Sequence, residues 1–286
     1  MRDKKLIQFY LTTECNSRCK TCSIWKSGHS NIQELPFDIV SDICIKNKNS
    51  DFVLGGGEFT LYSQKYDLLD KLNKEGINYT ILSNAINLTL LKDVIEKYDI
   101  QNLTMSCDGL NHDEIRGVVG SGNLYNICYI IGKYRDKIPN IKLSYTYSWF
   151  NQFTFEQDMD FIKYTLGFDK VYFCIAQNMD LLKTGTEAII PTNLENVLKR
   201  KDMLYDKDLR YIENLVKGEK KQCDSTSSVF TIYSNGDIVR CQSFMSKDVL
   251  GNIYKDDFNS VIDKVDRNFD CPYDEKCNLL CQRRYD

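Results

Sequence analysis

No apolar run in this chain approaches the ~20 residues that a membrane-spanning helix requires. The opening residues, Met1-Arg2-Asp3-Lys4-Lys5, lead into only six residues of mixed apolar sequence, too few for the hydrophobic centre of a secretory signal. An excess of one charge is missing too: 37 Lys and Arg stand against 40 Asp and Glu, a net charge of −3. That balance argues against nucleic acid or another polyanion as the main partner. The basic groups Lys199-Arg200-Lys201 and Lys217, Lys220, Lys221 read most simply as solvated helix faces. The expected location is the cytoplasm, with no membrane and no nucleic-acid partner. A chain of 286 residues suits one large domain plus a small appendage, and it can bury a full core without covalent staples.

Cysteine is abundant, with 12 residues. In a reducing compartment, clustered thiols are more often metal ligands than disulfides. The densest group is Cys15-Asn16-Ser17-Arg18-Cys19-Lys20-Thr21-Cys22, directly after the extended run Leu6-Ile7-Gln8-Phe9-Tyr10-Leu11. Random placement would give roughly 0.02 such C-x3-C-x2-C patterns in a chain this long. Three sulfurs on one loop, with a fourth position lacking a protein ligand, suit a cubane cluster with one iron open to a small molecule. Two plainer readings compete: a Cys₃His zinc site completed by His29, and three inert buried thiols.

From residue 5 to about 176, short apolar strands alternate with amphipathic helical patterns. Strands are predicted at 5–12, 51–55, 77–83, 101–107, 140–148 and 169–176. Between them, apolar residues recur at helical steps: Phe37, Val40, Cys44; Tyr62, Tyr66, Leu69; Leu91, Val94, Ile95, Tyr98; Leu124, Ile127, Cys128, Ile131; and Phe155, Met159, Ile162, Leu166. Six β-α repeats make an α/β chain, a partial (β/α)6 TIM-like barrel around a parallel sheet. Chemistry in such sheets sits at the C-terminal strand ends, where the cysteine loop falls. Strand two runs into Gly55-Gly56-Gly57-Glu58. Glycines there let a ligand approach the backbone, and Glu58 can accept from an ammonium. Strand four carries Thr104, Ser106 and Asp108 on one face and Leu103, Met105 and Cys107 on the other; Cys107 is expected in the core. His112 is expected to cap a helix or sit in water, without a catalytic role, and residues 146–151 to line a pocket. Pro191-Thr192-Asn193-Leu194 reads as a helix start, and Leu209, Ile212, Leu215 and Val216 as one apolar helix face.

The cysteine loop after a first strand resembles that of the radical S-adenosylmethionine (SAM) superfamily. Gly56-Gly57-Glu58 is similar to the family's Gly-Gly-Glu motif, with Phe59 where proline is usual. Ser83-Asn84-Ala85 is similar to its Thr-Asn-Gly turn. Ser106-Cys107-Asp108-Gly109, then His112-Asp113 and Arg116-Gly117, resembles its Ser-x-Asp-Gly…His-Asp…Arg pattern. The usual aromatic before the third cysteine is Thr21 here, with Trp25 as its replacement in packing. The resemblance implies that Cys15, Cys19 and Cys22 hold a [4Fe–4S] cluster and that SAM occupies the fourth iron. It implies further that Gly56, Gly57 and Glu58 hold the methionyl end, with Asn84 and Ser106 as further SAM contacts.

The last 64 residues hold Cys223, Cys241, Cys271, Cys277 and Cys281. Asn235-Gly236, between apolar alternating runs, predicts a hairpin over 230–240, and Phe258, Val261, Ile262 and Val265 predict a helix. The layout is similar to the SPASM and twitch extensions of radical SAM enzymes, which hold auxiliary clusters. Asn268 stands where a cysteine is expected, and five cysteines are too few for two cubanes. The expectation is one auxiliary [4Fe–4S] cluster on Cys223, Cys241, Cys281 and either Cys277 or Cys271, with zinc as the alternative. The domains expected are a barrel at 1–190, a helical bridge at 191–222 and an auxiliary-cluster module at 223–286. An external one-electron reductant of flavodoxin or ferredoxin type is expected as a partner. No gripping module precedes Leu6, which favours oxidation of a compact polar molecule such as an amino sugar or cyclitol. The alternatives are a peptide maturase forming a thioether or carbon–carbon crosslink, and an epimerase with Cys174 as hydrogen donor. From outside this class comes a non-catalytic cluster or zinc-binding protein.

Overall fold

Period-two alternation along the predicted strands becomes a sheet with one sealed face and one half-covered face. The computed structural model describes residues 4–22, 24–28, 31–176, 190–219, 228–240 and 249–266. His29 and Cys223, Cys241, Cys271, Cys277 and Cys281 lie outside these, so the expectations resting on them do too. Strands β1 (Leu6–Tyr10), β2 (Asp51–Gly55), β3 (Tyr79–Ser83), β4 (Asn102–Ser106), β5 (Asn140–Tyr147) and β6 (Tyr172–Ile175) pair in chain order, all parallel. Each lies within the span predicted for it.

The sealed face carries Ile7, Phe9, Leu54, Ile81, Leu103, Met105, Leu143, Tyr145 and Phe173. Against it pack α2 (Phe37–Lys46), α3 (Lys65–Lys74), α4 (Leu88–Lys97), α6 (Asn123–Tyr134) and α7 (Phe155–Asp160), while the short α1 (Ile24–Gly28) and α5 (His112–Ile115) lie in the loops after β1 and β4. One π-helical turn, Phe161–Thr165, continues α7. Val40, Cys44, Leu69, Leu91, Val94, Ile127, Met159 and Ile162 supply the helical side of the core. Each fully buried side chain of this kind contributes about 1.5–3 kcal/mol before chain entropy is counted. Cys107 joins that core, as expected.

Two helical expectations change. Tyr62 precedes α3 instead of lying on it: its hydroxyl donates to Leu35 O (2.6 Å), because Glu58 caps a 3-10 turn at Phe59–Leu61 and delays the helix. The segment after Pro191 is a 3-10 stretch, Glu195–Met203, broken at Arg200 (φ −122°, ψ 40°), whose guanidinium pairs with Asp160 and Asp202. The helix proper is α8 (Asp206–Val216), with Ile212 fully buried.

The hairpin forms, as β7 (Val229–Ile232) and β8 (Asp237–Val239). Gly236 (φ +89°) closes a three-residue connection, its N–H donating to Tyr233 O at 2.7 Å while Tyr233 N–H donates to Asp237 O. β7 also pairs parallel with β1, Leu6 opposite Val229. With β9 (Val249–Asn252) the order among the described residues becomes β6-β5-β4-β3-β2-β1-β7-β8-β9, a nine-stranded sheet. Helix α9 (Phe258–Ile262), capped by Asp257 on Ser260 N–H, follows β9. The C-terminal ends of β1 to β4 all open toward the same side, where Cys15, Glu58, Asn84 and Asp108 follow one another.

Candidate active site

β1 gives way to the cysteine loop once Leu11 has donated its N–H to Gly55 O (3.0 Å). Cys19 is buried and Cys15 and Cys22 are half-buried. The loop is held from the far side of the barrel mouth. Arg18 N–H donates to Arg116 O (3.0 Å), Lys20 N–H to Ile115 O (2.8 Å), and Ser17 Oγ to Arg116 O (2.9 Å). Gly117 (φ +64°) allows that approach, since a Cβ there would meet Arg18 O at 2.4 Å. Trp25, in α1, donates its indole N–H to Cys22 O (2.7 Å) and Cys19 O (3.3 Å), and the Arg18 guanidinium lies over its ring at 5.2 Å. Trp25 therefore braces the loop from the position expected of it.

Polar side chains lie beside two of the three sulfurs. Ser17 Oγ is 2.9 Å and Arg116 Nη1 3.7 Å from Cys19 Sγ, and Asn84 Nδ2 is 3.9 Å from Cys15 Sγ. Burial pushes the Cys15 thiol up to about 12 and the Cys22 thiol up to about 11, so their thiolates need a cation to hold them. Among the described residues, no three Cys, His, Asp or Glu side chains close on a single-ion site. A tetrahedral zinc would draw its sulfurs to roughly 3.8 Å from one another. A cubane hands each sulfur a separate iron, and hydrogen bonds to those sulfurs tune it. Three thiols on one loop, with the Asn84 amide beside Cys15 and the Arg116 guanidinium beside Cys19, fit a cubane.

The glycine run serves this loop directly. Gly57 N–H donates to Thr12 O (2.7 Å) and Glu58 N–H to Glu14 O (2.8 Å). A Cβ on Gly57 would lie 2.0 Å from Glu14 O, and one on Gly56 (φ +129°) 2.7 Å from Thr12 O. What comes close to these glycines is the lead-in to Cys15. Glu58 is 2% exposed. Its Oε1 accepts from Thr60 N–H, Thr60 Oγ1 and Ser83 Oγ, and its Oε2 from Asn84 N–H at 2.8 Å. Burial raises its pKa against these donors. Glu58 thus ties the end of β2 to that of β3, and Oε2 keeps a lone pair for a cation.

Asn84 donates Nδ2 to Asn16 Oδ1 (2.9 Å), and its carbonyl accepts from Asn123 Nδ2 (2.8 Å). The next residue, Ala85, has φ +58°, a left-handed conformation where the resembling motif has glycine. At the end of β4, Asp108 is fully buried. Its Oδ2 pairs with Arg116 Nε at 2.5 Å, and its Oδ1 accepts from Thr146 N–H at 2.9 Å. His112 neither caps from outside nor meets water. It is fully buried, with Nδ1 accepting from Asp108 N–H (3.0 Å) and Nε2 facing Asn123 Oδ1 (3.1 Å), and burial lowers its pKa. Sequence reasoning left Asp108 and Arg116 without a role; their eight-residue separation was the available signal.

Ser106 stands half-buried on the open face, level with Ser144 of β5. Cys174 is half-buried, paired with Thr146, and lies outside the core cluster that holds Phe173 and Ile175. It therefore faces the open side of the sheet. Of residues 146–151, Tyr147 packs against Phe155 (5.2 Å) and Phe173 (5.7 Å), whereas Trp149 is exposed at the mouth.

The sequence profile of the radical SAM superfamily matches residues 9–163, more than half of the chain. The chain belongs to the radical SAM superfamily. Its fold is similar to that of Streptococcus suis SuiB bound to precursor peptide SuiA, with a TM-score of 0.72 and 16% identity over 96% of this chain and 71% of SuiB. For SuiB bound to S-adenosylmethionine the values are 0.69 and 17%, over 90% of this chain and 65% of that one, so the chain spans about two thirds of SuiB. Similar too is anSMEcpe with bound AdoMet and Cp18Cys peptide, at 0.64 and 15%, over 92% of this chain and 80% of that one. At such identities the likeness is one of fold. No curated protein sequence matches the chain. This radical SAM enzyme uses a [4Fe–4S] cluster and SAM. Among the described residues, no helix is long and apolar enough to cross a membrane.

Proposed function

We propose that this radical SAM enzyme modifies a peptide, with Cys15, Cys19 and Cys22 holding the cluster beside SAM. The observation carrying the peptide reading is the character of the barrel mouth. Of the ten exposed large apolar side chains among the described residues, seven are Ile32, Leu82, Leu110, Val119, Tyr125, Trp149 and Phe153. All seven stand on strand ends, loops or helix starts at the C-terminal side of the sheet. An apolar rim of this kind marks a surface for a partner with apolar side chains, and a compact polyol has none to offer. The peptides in the SuiB and anSMEcpe structures support the same choice.

When bound, the cluster supplies the electron that splits SAM into methionine and a 5′-deoxyadenosyl radical, which takes a hydrogen atom from substrate. The chain's own residues do the positioning. Glu58 Oε2, Gly56 and Gly57 hold the methionyl end, and Asn84 and Ser106 make further SAM contacts. The sealed face of the sheet keeps water from one side of the chamber. Cys223, Cys241, Cys281 and either Cys277 or Cys271 would hold an auxiliary cluster, which would supply an acceptor for the substrate electron.

The test uses anaerobically reconstituted protein with SAM and dithionite, assayed for 5′-deoxyadenosine. Short peptides encoded beside its gene are expected to stimulate release and to lose two hydrogens by mass. Stimulation by cyclitols or amino sugars alone would establish the second reading, which the half-buried hydroxyls of Ser106, Ser144 and Thr146 on the open face favour.

A further inference from the structure

We propose that the Arg116 side chain sets the electron affinity of the cluster, acting as a positioning residue aimed by Asp108 at Cys19. The proposal rests on the cluster's being held by Cys15, Cys19 and Cys22. The guanidinium is used at two edges: Nε meets Asp108 Oδ2 at 2.5 Å, and Nη1 lies 3.7 Å from Cys19 Sγ. Its side chain is 13% exposed and that of Asp108 is fully buried. Asp108 cannot turn away, because Thr146 N–H holds its other oxygen and its own N–H is given to His112. The charge is therefore fixed in direction as well as in place.

A structural role for Arg116 is separable from this one. The contacts that tie the cysteine loop to this region go to the main-chain oxygens of Arg116 and Ile115 and to the Glu114 carboxylate, which Lys20 meets at 2.8 Å. Any residue at position 116 keeps those oxygens. Among the described residues, the side chain itself meets Asp108 and Cys19. Reduction adds one negative charge to a cluster whose thiolates already carry negative charge. A fixed cation and N–H donor at one of those sulfurs stabilises the reduced state more than the oxidised one, and the low dielectric of a buried site enlarges the effect. The planar fork can hold a carboxylate and reach a sulfur at once; an ammonium at position 116 supplies charge without that double reach.

The experiment follows the SAM-responsive EPR signal of the reduced cluster against poised potential, in the full chain after anaerobic reconstitution. Arg116→Gln is expected to lower the reduced-to-oxidised ratio at fixed potential about tenfold, equivalent to 59 mV for a one-electron couple. Arg116→Lys should fall between Arg116→Gln and the wild type. Wild-type midpoints in both variants, at wild-type iron content, would overturn the proposal. Should Arg116→Gln hold no iron, Arg116→Lys decides: a negative shift supports the proposal and an unmoved midpoint sinks it. Loss of iron from both variants would show a purely structural clamp and sink it as well. A wild-type signal that ignores SAM, or that persists in Cys19→Ala, would instead remove the cluster assignment beneath it.

Discussion

Glu58 has four donors on its two oxygens and almost no contact with water. Glu58→Gln must turn an NH₂ group toward at least one of those donors. The expected loss is about 1–3 kcal/mol of stability, read as a lower denaturation midpoint, together with weaker SAM binding by calorimetry. His112 makes a prediction of opposite character. Burial lowers its folded pKa below the ordinary value near 6.5, so the unfolded chain binds its proton first as pH falls. Its contribution is fully present above that value and is lost as pH drops from it toward the folded pKa. Denaturation midpoints measured between pH 7 and pH 5 should decline, and His112→Gln should flatten that part of the slope. Both residues were visible in the sequence, but their partners were not. A histidine three residues past a glycine reads as a loop residue until Asn123 and Asp108 are seen closing on its two nitrogens.

At the scale of elements, two turns decide how strand ends meet the cysteine loop. Gly57 lies against Glu14, so Gly57→Ala must push the β2 turn off the Cys15 lead-in. The expected result is a cost of about 1–3 kcal/mol and reduced iron content after reconstitution, measured by iron assay. Ala85 poses the reverse case. It holds φ +58° where glycine is at ease, so Ala85→Gly should stabilise the fold by about 0.5–1 kcal/mol in denaturant melts. The strands and the helical faces were legible because alternation and three- or four-residue periodicity are written locally. The Tyr62 turn and the break at Arg200 were not. A carboxylate cap and two ion pairs made by distant residues override the local pattern there.

For the molecule as a whole, the proposed auxiliary cluster sets the expected iron count. We expect the full chain to hold about eight irons, and Cys223→Ala with Cys281→Ala to hold about four, as one cubane each would require. That double variant should still release 5′-deoxyadenosine while losing oxidised product by mass spectrometry. Full product formation would rule out the electron-acceptor role. The hairpin that leads to Cys241 is itself part of the main sheet, since β7 pairs with β1.

By itself the sequence determined the α/β alternation, the parallel order of strands and the site motifs at their ends, because periodicity and short spacings are properties of neighbouring residues. Tertiary structure alone decided that the glycine run cradles backbone, that Glu58 is a strut and that Arg116 faces Cys19. These are contacts between residues 25 to 97 positions apart, whose meeting depends on how the strands lie side by side. The apolar mouth belongs to the same class. Its side chains are scattered from Ile32 to Phe153 in sequence and come to the same side of the sheet only because the strand ends are gathered there.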